Sequence, residues 1–181
     1  MKKTQRSFAA LAFGVSLAAA LVAAPVNAQM PVSLGIGGGL TMPSGDLADF
    51  TDNGYHGLVT LRAGLPMVPV HLRLDGSYSR LPMASGFGVD DISTIGAVAA
   101  FGYDIVPVGP ARLYALAGGG HYWSKAEVPN AERVGDFGWN AGAGVRMNFL
   151  AAKMFIEGRY HSVSTDGGKM TMMPITVGLS F

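Results

Sequence analysis

The feature that most limits what this chain can become is the period of its apolar residues. From Val32 onward, apolar side chains alternate with polar or small ones in stretches of about ten residues, separated by clusters of Gly, Pro, Asp and Ser. A period of two belongs to strands, because successive side chains leave a strand on opposite faces. Eight stretches can be read. They are VSLGIGGGLTM from Val32, YHGLVTLRAGL from Tyr55, VHLRLDGSYSR from Val70, STIGAVAAFGYDI from Ser93, ARLYALAGGGHYW from Ala111, FGWNAGAGVRMNF from Phe137, MFIEGRYHSV from Met154 and MTMMPITVGLSF from Met170.

The connections sort into two kinds. After the second, fourth and sixth stretches they are tight (PMVP, VPVGP, LAAK); after the first, third and fifth they are long and rich in Gly and acidic residues. This asymmetry predicts an all-β fold, an eight-stranded antiparallel up-and-down transmembrane β-barrel with short periplasmic turns and longer outer loops. An even strand count puts both barrel ends of the chain on the periplasmic side.

Which residues share a face tests that prediction. In the third stretch Val70, Leu72, Leu74, Gly76 and Tyr78 share one face, and His71, Arg73, Asp75, Ser77 and Ser79 the other. The seventh sets Met154, Ile156, Gly158 and Tyr160 against Glu157, Arg159 and His161, and the sixth opposes Trp139, Ala141, Ala143 and Val145 to Asn140, Arg146 and Asn148. A soluble sandwich would carry lysines on its polar face. Here only Lys125, Lys153 and Lys169 occur from Val32 onward, and the strand charges are arginines with nearby carboxylates. A closed polar lumen fits them: Arg62, Arg73, Arg146 and Arg159 are expected to pair with Asp75 and Glu157, with His161 beside them.

Traced up and down the strands, the aromatic residues form two rings. Tyr55, Tyr78, Tyr122, Trp139 and Tyr160 gather at the outer end, and Phe101, Tyr103, Tyr114, Phe149 and Phe181 at the inner end. Ten residues separate Trp139 from Phe149, roughly 25 Å at about 3.3 Å per residue and a tilt near 40°, the height of an outer-membrane apolar band. Two places resist the pattern. LYALAGGG in the fifth stretch is small or apolar on both faces, and Tyr114, Leu116 and Tyr122 are assigned to lipid because that completes the rings. Pro174 removes a ladder donor, which predicts a bulge or a late start to pairing in the last strand.

Residues 1–28 read as a cleaved signal peptide, leaving residues 29–181 as the barrel domain. Lys2, Lys3 and Arg6 precede an apolar run of fifteen residues from Phe8 to Val22, short of the roughly 20 a membrane helix needs. Val26, Asn27 and Ala28 supply a small-x-small cleavage pattern. Without the leader, the 13 basic residues fall by three to 10 against 12 acidic ones, so no basic footprint points to nucleic acid. Cysteine is absent, which excludes disulfides, thiolate nucleophiles and cysteine-held metals.

These stretches, with MPSGDLADF after the first strand, EGRYHSV in the seventh and a final strand closing on Phe181, resemble the eight-stranded barrels of the OmpA and OmpX type. The resemblance implies a protein of the Gram-negative outer membrane, in contact with lipid and lipopolysaccharide. It also implies that Ile175, Val177, Leu179 and Phe181 form the lipid face read by the barrel-assembly machinery.

No constellation of side chains argues for catalysis, a cofactor or a metal. His56, His121 and His161 all point inward near the outer rim in the assigned phases, but they lie on strands that are not all neighbours. Outer-membrane lipid A deacylases place His and Ser two apart on one face; here Val163 takes that position, and Ser162 and Ser164 fall opposite His161. Acidic outer loops (Asp46, Asp49, Asp52; Asp90, Asp91; Glu127, Glu132, Asp136) are solvated faces, with divalent-cation bridging to lipopolysaccharide a looser alternative. An eight-stranded interior is only wide enough for its own side chains. The expectation is therefore a monomeric, non-enzymatic protein with a structural, envelope-integrity or adhesive role. External ligands would meet the loops from Pro43 to Gly54 and from Ser124 to Asp136, with Phe50 as an apolar anchor. A narrow ion or small-solute channel is the alternative, and a lipid-modifying enzyme stands third.

Overall fold

The computed structural model describes residues 31–65, 67–83, 91–108, 110–128, 131–149 and 152–181. Residues 1–28, read as the signal peptide, and Asp90 lie outside the described residues. Eight strands follow in chain order: β1 (Val32–Ser44), β2 (Gly54–Gly64), β3 (Val70–Pro82), β4 (Asp91–Val108), β5 (Ala111–Ala126), β6 (Val134–Phe149), β7 (Ala152–Thr165) and β8 (Gly168–Ser180). Each pairs antiparallel with its chain neighbours, and β8 closes on β1 from Ser44↔Thr171 to Gly35↔Ser180. Closure leaves no open edge along the wall, the condition a sheet must meet to cross a bilayer.

Between strands the inner connections span five, two and two residues, and the first three outer ones nine, eight and seven. The fourth outer connection is a two-residue turn, Asp166–Gly167, a tightness suited to a twisted hairpin. In the first outer loop a 3-10 turn (Gly45–Asp49) is held by Thr51 Oγ1 donating to Leu47 O, 2.8 Å, and by Asp52 N donating to Pro82 O, 2.8 Å.

The faces alternate as a lipid-clad barrel requires. Leu72, Leu74, Ile156, Ile175, Val177 and the β1 residues Leu34 and Ile36 are exposed on the wall, while His71, Arg73, Asp75, Glu157 and Arg159 are buried inside. The interior is narrow enough that missing side chains make room for large ones. A Cβ on Gly102 would lie 2.0 Å from His71 Nε2, and one on Gly178 would lie 2.3 Å from Phe155 Cζ, so each glycine is the recess for the ring beside it.

Two irregularities differ from expectation. Pro174 makes no bulge: the β1–β8 register runs unbroken through Thr41↔Pro174. On the β7 side the ladder stops at Gly158↔Ile175 and resumes at His161↔Met172 in the same offset. Proline's missing donor is thus absorbed by skipping ladder pairs rather than by inserting a residue. The register shift falls instead in β4, between Asp104 and Val106 opposite β5.

β5 takes the opposite phase from the one expected. Tyr114 and Tyr122, assigned to the lipid-facing rings, are each 2% exposed and point into the lumen, as does Leu116. Their hydroxyls find hydrogen-bond partners there, and a phenol buried in lipid would have none. His121, expected inside, consequently faces outward, its ring packed edge-on at 4.7 Å against Trp123. Elsewhere Tyr55, Tyr78, Trp139 and Tyr160 face outward at the outer end, and Phe101, Tyr103 and Phe181 are exposed at the inner end. The side chain of Phe149 lies outside the described residues.

Candidate functional site in the barrel lumen

Polar residues stack in the lumen in three levels. At the middle, β3 supplies Arg73 and Asp75 and β7 supplies Glu157 and Arg159, each pair two residues apart and so on one face. Arg73 Nε donates to Asp75 Oδ1 at 2.8 Å, and its Nη1 donates to Glu157 Oε2 at 2.5 Å. Arg159 Nη2 donates to Asp75 Oδ2 at 2.6 Å, and its Nε donates to Glu157 Oε1 at 2.5 Å. Tyr114 adds a 2.7 Å bond to Glu157 Oε2. Every carboxylate meets both guanidinium groups, so a ring of two positive and two negative charges closes across the barrel, each side chain at most 6% exposed. Charges this deep are tolerated only when paired and hydrogen-bonded on most of their valences.

Below it, toward the inner end, Asp104 accepts from Arg62 Nη2 at 2.9 Å and from Arg146 Nη2 at 2.8 Å. Arg62 and Arg146 were expected to pair with Asp75 and Glu157; the structure gives them Asp104 instead. The charges form two networks, not one. Sequence reasoning passed over Asp104, although Phe101 and Tyr103 on the lipid face put it inside by alternation. It lies in the fourth stretch but is given no partner there, because alternation fixes its face and not its height against Arg62 and Arg146. Arg62 Nη2 also lies 3.1 Å from His71 Nδ1. The Arg146 guanidinium sits 5.2 Å over the Tyr114 ring, and that of Arg73 5.8 Å over Phe155.

Above the middle level the contacts are neutral. His56 bridges Thr41 Oγ1 at 3.0 Å and Thr176 Oγ1 at 2.8 Å, while Tyr122 and His161 meet at 2.8 Å. These side chains line, with Ser77, Ser79 and Thr94, a cavity of about 520 Å³, its open mouth included. Among the described residues no three His, Asp or Glu side chains are grouped to hold a metal ion.

The outer loops carry acidic groups with local partners. Ser93 Oγ donates to Glu127 Oε1 at 2.7 Å and holds that carboxyl below its ordinary range. Arg80 pairs with Asp91, and Glu127 N donates to Asp91 O at 2.9 Å, which fixes the base of the third loop to the start of β4. Phe50 is 46% exposed in the first loop.

A closed eight-stranded barrel, apolar outside and charged within, is a membrane-spanning β-barrel. The family model for the outer membrane protein beta-barrel domain matches residues 9–181, and the chain belongs to that family. Membership points to the bacterial outer membrane. No curated protein matches the chain in sequence. Among solved structures it is similar to Neisserial surface protein A, at TM-score 0.68 and 12% identity over 82% of this chain and 95% of that one. Ail, the attachment invasion locus protein of Yersinia pestis, matches at TM-score 0.55 and 19% identity over 83% and 97%. A second Ail structure, in complex with the heparin analogue sucrose octasulfate, matches at TM-score 0.50 and 18% identity over 83% and 96%. At such identities the likeness is one of fold.

Proposed function

We propose that the protein is a monomeric, non-enzymatic outer-membrane barrel that acts through its outer loops, by binding an external partner or another component of the envelope. One observation carries this reading: the ring of Arg73, Asp75, Glu157 and Arg159 fills the lumen at mid-height, leaving the loops as the surface available for recognition. The same ring weighs against the channel alternative. Single-channel steps in a planar bilayer, altered by Glu157→Ala, would reinstate it.

The outward aromatic residues support a bilayer placement, with Tyr55, Tyr78, Trp139 and Tyr160 at one interface and Phe101, Tyr103 and Phe181 at the other. Trp123 joins the outer group on the outward face of β5. Ile175, Val177, Leu179 and Phe181 remain our candidate for the signal read by the barrel-assembly machinery, and residues 1–28 for the export signal cleaved near Ala28. The adhesive form of the proposal draws on Ail, whose name denotes attachment. A heparin-like partner suits this chain poorly, because Asp46, Asp49 and Asp52 in the first loop and Glu127 and Glu132 in the third present negative charge. A partner with a basic surface fits better.

The test is a strain displaying the barrel with the first and third loops cut to short turns. Adhesion to host-derived or envelope components carrying basic surfaces should disappear while the heat-dependent gel shift of a folded barrel persists. Undiminished binding by the shortened barrel would refute the role.

A further inference from the structure

Arginine is in excess at the inner level of the lumen. The middle ring is balanced, but below it Arg62 and Arg146 share one carboxylate, Asp104. The strand register brings like charges together. Arg62 stands directly opposite Arg73 in the β2–β3 ladder, and Arg112 directly opposite Arg146 in the β5–β6 ladder, all on the inward phase. Like charges directly opposite each other in an antiparallel pair are destabilising; Arg112 is exposed to solvent, so it is the Arg62–Arg73 pair that calls for compensation.

The donors left over point the same way. Arg73, 6% exposed, uses Nε and Nη1 on the middle ring, and its buried Nη2 has no hydrogen-bond partner. Arg62 Nε is buried and unpartnered as well. The Phe155 and Tyr114 rings face the guanidinium groups of Arg73 and Arg146. Both arginines, with Arg146, line a cavity of about 310 Å³, its open mouth included, beside the hydroxyl-bearing Thr60, Ser33 and Ser180. Ser33 and Ser180 stand near the inner ends of β1 and β8.

We infer that this inner cavity is a binding site for one small anion, held between Arg62, Arg73 and Arg146 and reached from the inner end of the barrel. An anion there supplies acceptors to N–H groups that have none and negative charge where Arg62, Arg73 and Arg146 converge. The shared chemistry is that of a compact anion, chloride or a phosphate oxygen. The site does not depend on the outer loops, so it stands or falls separately from the function proposed above.

Thermal unfolding of the full chain, folded in detergent, tests the site at fixed ionic strength with chloride, phosphate or bulky gluconate as the anion. A saturable rise in the unfolding midpoint with chloride or phosphate, absent in gluconate, is expected. Arg62→Gln should weaken the apparent affinity roughly ten-fold or more, the loss of a charged hydrogen bond. A larger response to chloride identifies a halide site; a larger response to phosphate identifies an oxyanion site. Because Arg62→Gln can impair folding, chlorine-35 line width on the unaltered protein gives an independent reading, with excess broadening that phosphate displaces. Superimposable unfolding curves in all three salts, together with no excess broadening, would overturn the inference.

Discussion

The middle and inner levels of the lumen use the same residue types and reach different balances. In the ring of Arg73, Asp75, Glu157 and Arg159 each carboxylate touches two arginines and each arginine two carboxylates, with every side chain at most 6% exposed. Asp104 also serves two arginines, Arg62 and Arg146, yet these three are 11–20% exposed and sit nearer the barrel mouth. Deep in the wall, an unpaired charge has no solvent to fall back on, so the ring must close. Near the mouth, water or ions relax that demand, and an incomplete network survives.

The largest expected effect tests the closed ring. Glu157→Gln leaves two guanidinium groups facing one carboxylate and should cost about 3–5 kcal/mol, as removal of one partner from a buried ion pair does. Urea unfolding of the folded barrel in detergent or lipid checks it. Replacing all four ring residues by apolar ones of similar volume should cost much less than that single change, because a well-packed apolar substitute removes the desolvation penalty along with the attraction. A fourfold variant less stable than Glu157→Gln would break the argument. Next in size is Asp104→Asn, expected at about 1–3 kcal/mol, the range for loss of hydrogen bonds to charged groups. Added salt should narrow its deficit while leaving that of Glu157→Gln nearly unchanged, since only the partly exposed cluster is screened.

Much of this architecture could be read from the sequence, because charge marks the inward face of β3, β6 and β7. His71, Arg73 and Asp75 in β3 fix one phase, and Glu157 and Arg159 in β7 fix another, so both halves of the ring were visible before their contact was. The phase of β5 was not. LYALAGGG offers small or apolar residues to both sides, and what decides between them is two hydroxyl bonds, Tyr114 to Glu157 and Tyr122 to His161. Those partners lie 43 and 39 residues away, beyond the reach of local periodicity. A one-residue slip in β5 also hid Trp123 as an outward aromatic and sent His121 inward. The pairing of Arg62 and Arg146 with Asp104 was hidden for a different reason: alternation gives the face of a residue but not its height in the barrel relative to strands far along the chain.

Neutral contacts above the ring should matter less than either charged level. Tyr122→Phe removes one hydrogen bond to His161 and should cost about 1 kcal/mol, measured by the same unfolding assay. Tyr114→Phe should exceed it, because its acceptor is the Glu157 carboxylate of the ring. If the two tyrosines were equivalent, the depth of the charge beneath them would not be setting the scale.

The smallest effect belongs outside the lumen, at Arg80 and Asp91. They form an ion pair where β3 and β4 leave the barrel, and Arg80 is 41% exposed. Water reaches the Arg80 guanidinium whether or not it touches Asp91, and holding a long arginine in one conformation costs entropy that offsets the attraction. Arg80→Ala should therefore leave the unfolding midpoint unchanged, and raising the salt concentration should not separate it from the unaltered protein. The comparison with Asp104 makes this informative, since both sites consist of arginine and aspartate in direct contact, with the aspartates equally exposed at 18% and the arginines differing in burial. A loss at Arg80 as large as at Asp104 would mean that burial does not rank these pairs, and the contrast between the two lumen levels would lose its physical basis.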